Sequence, residues 1–148
     1  MKGKITTAAT VALAALTVGY SILRAQSTAR SVWDGVYTAD QAKRGQALYN
    51  QHCAHCHGDT LAGGEMAPPL AGANFLSNWT GLSVGDLFER TRISMPQDKP
   101  GKLSREVHAD ILAYVLSMNQ FPAGETELPK AGEVLKDIMI EASKPEKK

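Results

Sequence analysis

Two cysteines in 148 residues are too few to build a disulfide-dense scaffold. An excess of one charge is missing as well. Sixteen Lys and Arg stand against 15 Asp and Glu, a formal net charge of +1 that supplies no basic surface for nucleic acid. Charge this evenly mixed, with 43% hydrophobic residues, excludes a disordered chain. No internal repeat, long low-complexity run or convincing set of alternating strands is present, and the length suits one domain. The totals hide an uneven distribution: the first 25 residues hold three Lys or Arg, no Asp or Glu and 15 hydrophobic residues. The remaining 123 carry 13 basic and 15 acidic residues, a net charge of −2, and are about 40% hydrophobic.

The N-terminal segment accounts for that asymmetry. Lys2 and Lys4 precede an uncharged, Ala/Leu/Val-rich stretch from Ile5 to Leu23, and small residues follow at Ala25, Ser27, Thr28 and Ala29. This is the layout of a secretory signal peptide. Cleavage after Ala29 puts Ser27 and Ala29 at the small-residue positions, whereas cleavage after Ala25 leaves bulky Leu23 at the third position back. The stretch is also close to the lower length limit for a bilayer span, so an uncleaved membrane anchor is the alternative. Either reading puts the body outside the cytoplasm, periplasmic or otherwise exported, where free thiols are prone to oxidation. The expected organisation is a leader or anchor over 1–29, a domain over 30–124, and a C-terminal tail over 125–148 with a short amphipathic segment.

The body reads as helical. Thr38 and Gln41 form a capping-box pattern, and Ala42, Leu48 and Tyr49 continue at helical spacing toward Gln51. Gly, Pro and Asn dominate Gly58 to Gly81, which predicts loop with a short turn at Asn74 to Trp79. Ser83 caps a helix predicted over Val84 to Thr91, with Asp86 in its first turn, and Pro96 and Pro100 make Ser94 to Gly101 a loop. Ser104 caps the clearest helix, Arg105 to Met118, whose Val107, Ile111, Tyr114, Val115 and Met118 form an apolar stripe. In the tail, Val134, Leu135, Ile138, Met139 and Ala142 fit a short helix, with a strand at Ile138 to Ile140 as the alternative.

The most informative stretch is Gln51-His52-Cys53-Ala54-His55-Cys56-His57, which contains C-x-x-C-H, the pattern of c-type haem attachment. Two thiols three positions apart on a helical turn can each add to a haem vinyl group, and the adjacent His57 is then carried under the iron as proximal ligand. A redox dithiol also uses C-x-x-C, but that fold expects a preceding βαβ pattern, and a helix precedes Cys53 here. A zinc site could draw on these Cys and His residues, yet His108 is the one remaining histidine and offers no second ligand pair. Two cysteines allow one haem.

These residues resemble class I cytochromes c, from about Trp33 to Gly124. Gly45 and Tyr49 match that family's N-terminal helix, where a glycine permits a close helix crossing and an aromatic packs beside it. Cys53, Cys56 and His57 match the attachment site. Ala67-Pro68-Pro69-Leu70-Ala71-Gly72 resembles the family's loop in which a proline carbonyl, here that of Pro68, accepts the proximal histidine's N–H and a leucine, here Leu70, touches the haem. The resemblance implies an all-α class I cytochrome c fold, three to four helices around one covalent haem c with long Gly/Pro loops. The end of the last helix, Asn119 to Gly124, looks like a bacterial subgroup that serves periplasmic quinoprotein alcohol dehydrogenases.

Of the body's methionines, Met66, Met95, Met118 and Met139, Met95 is the best distal ligand. It lies in a Pro-containing loop between two helices, and Ser94-Met95-Pro96 resembles the family's bacterial distal-ligand motif. Met66 is the competitor, only nine residues beyond His57. Met118 is expected in the core and Met139 in tail packing or a partner contact. Trp79 is read either as a propionate donor or as core packing, and Arg92, with Arg90, either as a propionate partner or as a solvated helix-end charge. His52, His55 and His108 are expected at the surface. With His and Met bound, the iron keeps no vacant position, so the implied job is outer-sphere electron transfer rather than catalysis. The family arrangement implies an exposed haem edge rimmed by Ala54, Met66 and the Met95 loop. The expected partners are redox proteins, a quinoprotein-type dehydrogenase as donor and a terminal oxidase or other cytochrome as acceptor. Nucleic acid is not among them, and a membrane only if the leader stays attached. Alternatives are a five-coordinate ligand-binding or catalytic haem protein, a cytochrome subunit held permanently in a larger enzyme, and a zinc or dithiol module.

Overall fold

Local capping starts each of the three long helices. In α1 (Ala39–His52) the Thr38 hydroxyl accepts from the Gln41 N–H at 3.1 Å; in α4 (Val84–Ser94) Ser83 accepts from the Asp86 N–H at 3.0 Å; in α5 (Arg105–Met118) Ser104 accepts from the Val107 N–H at 3.3 Å. The computed structural model describes residues 29–65 and 67–146, so the predicted leader lies outside the described residues. Three shorter α-helices complete the set among the described residues: α2 (Ala54–His57), α3 (Gly72–Trp79) and α6 (Gly132–Leu135). The turn expected at Asn74 is therefore a two-turn helix starting at Gly72, and α4 runs one turn beyond Thr91. Two short strands, β1 (Arg30–Ser31) and β2 (Ile138–Met139), pair in parallel. Among the described residues no helix is long and apolar enough to cross a membrane.

The α1–α5 pair is the centre of the core, and Gly45 lets it close. A Cβ on Gly45 would stand 1.8 Å from the Asp110 carbonyl oxygen, so the two helix backbones meet there. Tyr49 and Tyr114 pack beside the crossing with ring centroids 5.4 Å apart. Met118, expected in the core, is 37% exposed. It lies two turns beyond the crossing, where helices that meet at an angle have diverged.

Two other expectations change for tertiary reasons. Gln41 does not complete a capping box with Thr38; its buried amide instead bonds the Leu128 backbone twice, Nε2 to the carbonyl at 3.1 Å and Oε1 from the N–H at 2.6 Å. His108 is 3% exposed rather than a surface residue, packed edge-on to Phe88 of α4. Its Nδ1 donates to the Ser104 carbonyl at 3.0 Å, one helical turn back.

The segment after Gly124 folds onto the domain. Leu128, Leu135, Ile138 and Ile140 are buried in the main core, and the Trp33 indole N–H donates to the Glu141 carbonyl at 2.9 Å. The tail's helix stops at Leu135, and Ile138–Met139 takes the strand alternative because it pairs with β1.

The Ser83 cap carries a measurable load. The Ser83 hydroxyl and N–H both donate to the Asp86 carboxylate and hold it below the usual carboxylate range. A folded-state pKa below the unfolded one contributes stability above the unfolded value and loses it as pH falls through the folded value. Ser83→Ala is expected to cost about 1 kcal/mol in urea unfolding at neutral pH. The deficit should shrink as pH falls through the Asp86 titration, and an equal deficit at low pH would contradict this reading.

Candidate functional site

The C-x-x-C-H segment occupies the end of α1 and the single turn α2. Cys53 closes α1, its backbone N–H bonded to the Tyr49 carbonyl at 2.8 Å, and Cys56 and His57 follow within one turn. Tyr49 also fixes the far end of that turn, donating its hydroxyl to the Gly58 carbonyl at 2.8 Å. Both cysteines are free thiols, Cys53 half-buried and Cys56 exposed. Burial, and secondarily Cys56, pushes the Cys53 thiol up to about 11. A redox dithiol needs the opposite shift, toward a thiolate at neutral pH. Among the described residues no three His, Cys, Asp or Glu side chains gather as a zinc site would require.

His57 is 7% exposed, and its ring is held from one side. Nδ1 lies 2.8 Å from the Pro68 carbonyl oxygen. A carbonyl only accepts, so Nδ1 carries a proton, and in the neutral ring Nε2 is then the nitrogen with the lone pair. That is the tautomer a metal-binding histidine needs.

The loop that presents Pro68 is itself anchored. The Leu70 N–H donates to the Leu61 carbonyl and the Gly63 N–H to the His57 carbonyl, both at 2.8 Å. From the other side comes Asn119, the residue capping the C-terminus of α5. Its amide donates to the Leu70 carbonyl at 3.0 Å and to the Val115 carbonyl at 2.9 Å, and its Oδ1 accepts from the Gly72 N–H at 3.0 Å. Sequence reasoning took Asn119 only as part of a helix end. A polar residue directly after a long apolar stripe was the available signal, but its partners lie 47 and 49 positions away.

The remaining candidates are spread around this centre. Leu70 is half-buried against the core, as are Leu76 and Trp79 of α3 and Leu103 and Val107 at the start of α5. Trp79 stacks on Phe75 with centroids 6.4 Å apart. Met95 caps the C-terminus of α4 and is half-buried, its N–H bonded to the Thr91 carbonyl at 2.8 Å. Arg92 forks onto Glu89 through Nε and Nη2 at 2.8 and 2.6 Å, one turn back on the same helix, so its guanidinium is engaged with a carboxylate there. Ala54 is buried, His52 is half-buried and His55 exposed, while Met66 lies outside the described residues.

This donor set suits haem c: two free thiols lead into a histidine whose Nδ1 is engaged by a carbonyl, and half-buried apolar side chains remain for a macrocycle to cover. Helices packed around such a turn define a class I cytochrome c, an all-α fold built for haem-based electron transfer. The model of the family described as cytochrome c oxidase, cbb3-type, subunit III matches residues 40–115, and the chain belongs to that family. It is similar to a cytochrome bc1 complex cytochrome c subunit of Corynebacterium diphtheriae, 32% identical over 113 residues, covering 72% of this chain and 38% of that one. Among solved structures it resembles the sulfane dehydrogenase SoxCD of Paracoccus pantotrophus, with a TM-score of 0.54 and 25% identity, covering 72% of this chain and 61% of that one. The chain thus spans well under half of the curated relative's length.

Proposed function

We propose that this chain is an exported or periplasmic electron carrier: Cys53 and Cys56 would hold one haem c through thioethers, and His57 and Met95 would bind its iron. When bound, the haem supplies reversible one-electron chemistry at its iron. The observation that carries the reading is the bond from His57 Nδ1 to the Pro68 carbonyl, which leaves Nε2 ready to bind iron directly beside the two thiols. Met95, at the C-terminus of α4, would supply the other iron ligand from a separate element. With His57 and Met95 both committed to the iron, the other residues of the site would orient and shield the haem, and the protein would transfer electrons and not catalyse a bond change.

Partners in this reading are redox proteins, a dehydrogenase of quinoprotein type as donor and a terminal oxidase as acceptor. The likeness to a complex subunit and to a dehydrogenase supports redox partners in general, and equally a version in which the chain is a fixed cytochrome subunit. Docking rests on local patches, because a body with net charge −2 gives little long-range steering.

The test is a pyridine haemochrome assay on the purified, denatured protein, together with the spectrum of Met95→Ala. Covalently retained haem at one per chain is expected, and the variant should lose the sulfur-to-iron charge-transfer band at the red end. No retained haem sinks the proposal. An unchanged spectrum in the variant removes Met95 from the iron and leaves a five-coordinate or differently ligated site.

A further inference from the structure

We infer that Asn119 is a positioning residue for the proximal histidine, acting through the Pro68–Gly72 loop to hold the reduction potential down. The inference rests on the haem reading above and adds a residue to it. Asn119 is 8% exposed, and all its polar side-chain atoms are used: Oδ1 takes the Gly72 N–H, and Nδ2 serves the Leu70 and Val115 carbonyls. Two of those three bonds go to a loop distant in sequence. Pro68, whose carbonyl accepts from His57 Nδ1, lies two residues before the clamped Leu70 carbonyl.

The position of that carbonyl matters chemically. A proton shared with a well-placed acceptor gives the imidazole partial anionic character and makes Nε2 a better donor, which favours the oxidised metal. The Pro68 ring is exposed, while its backbone lies close against Gly63, where a Cβ would meet the Pro68 carbonyl carbon at 2.9 Å. The loop is also tied on both sides of Pro68: before it the Ala67 carbonyl accepts from the Gly64 N–H, and after it the Leu70 N–H bonds the Leu61 carbonyl while Asn119 takes the Leu70 carbonyl and the Gly72 N–H. Asn119 in turn stands on α5, the helix packed most extensively against α1. The rigid core thereby sets the distance from Pro68 to His57. With the clamp removed, the carbonyl is freer, the hydrogen bond lengthens on average, and the reduced form gains.

The experiment compares haem-loaded wild type, Asn119→Leu, Asn119→Ser and the control Gln41→Leu by redox titration, thermal unfolding and proton NMR of the reduced protein. Gln41→Leu also deletes two buried hydrogen bonds, but at the contact with Leu128 and not at the loop. Both Asn119 variants are expected to raise the reduced-to-oxidised ratio at fixed poise about threefold to tenfold, an upward shift of about 30 to 59 mV for one electron. The His57 Nδ1 proton should exchange with solvent at least about tenfold faster in them. Gln41→Leu should lower the melting temperature and leave potential and exchange where they were.

An unchanged potential in Asn119 variants that retain covalent haem overturns the inference and leaves the haem reading standing. An equal shift in Gln41→Leu overturns it as well, by tracing the effect to general loosening. Failure of both Asn119 variants to accumulate folded also counts against it, because a clamp on one loop leaves the α1–α5 core intact. Absence of covalent haem from the wild type is a failure of the parent reading alone.

Discussion

Produced without haem attachment, as the Cys53→Ala/Cys56→Ala double variant, the chain is expected to show no cooperative unfolding transition at 25 °C. The reason is apolar surface that the protein covers only in part. Leu70, Leu76, Trp79, Leu103 and Val107 pack against the core while remaining partly exposed. Covering the rest of five such side chains is worth at most about 1 kcal/mol each, or at most about 5 kcal/mol together. That matches the low end of the net stability of a small domain, about 5 kcal/mol, so its loss decides whether the domain folds. Among the described residues, the loop from Gly58 to Ala71 holds no regular helix and depends on a few hydrogen bonds, which makes it the first region to loosen. Circular dichroism during urea titration checks this, and a sigmoidal transition with the holoprotein's midpoint would refute it.

Gly45→Val is expected to prevent folding even when haem is supplied. The new Cβ would meet the Asp110 carbonyl oxygen at 1.8 Å and its carbon at 2.5 Å, with Tyr114 Cβ at 3.1 Å. Backbone atoms of a packed helix cannot swing aside as a flexible side chain can, so α1 and α5 must separate. Overpacking a core costs about 1–3 kcal/mol when side chains yield and more when they do not. Separation would also pull Tyr49 from Tyr114 and shift the turn that Tyr49 fixes through Gly58. Yield of haem-loaded protein and its thermal midpoint are the measurements. A variant that melts within a few degrees of wild type would show that the crossing tolerates displacement. Gly45→Ala carries the same Cβ and should fail in the same direction.

The two failures differ in kind. Without haem, nothing obstructs the α1–α5 crossing, but the partly covered surface is left in water. With valine at 45, the surface can be covered but the two helices that frame it cannot meet. Electron transfer in the proposed reading needs both, because the ligand turn hangs from α1 and the loop behind His57 hangs from α5 through Asn119.

Much of this arrangement is legible residue by residue. The Cys53–His57 spacing, the caps at Thr38, Ser83 and Ser104 and the extent of α5 follow from interactions within a turn or from one recognisable pattern. Such features are local, so the residues that make them stand next to one another in the chain. The partners of Gln41, Asn119 and Trp33 are of another kind, lying 87, 49 and 108 positions away. A glutamine three residues after a threonine has the capping-box pattern until Leu128 arrives beside it, and His108 has the spacing of a surface position until α4 covers it. Folding chose these pairings because a buried amide or imidazole must find a partner among the groups that packing brings near, and no periodicity in the chain records which groups those are.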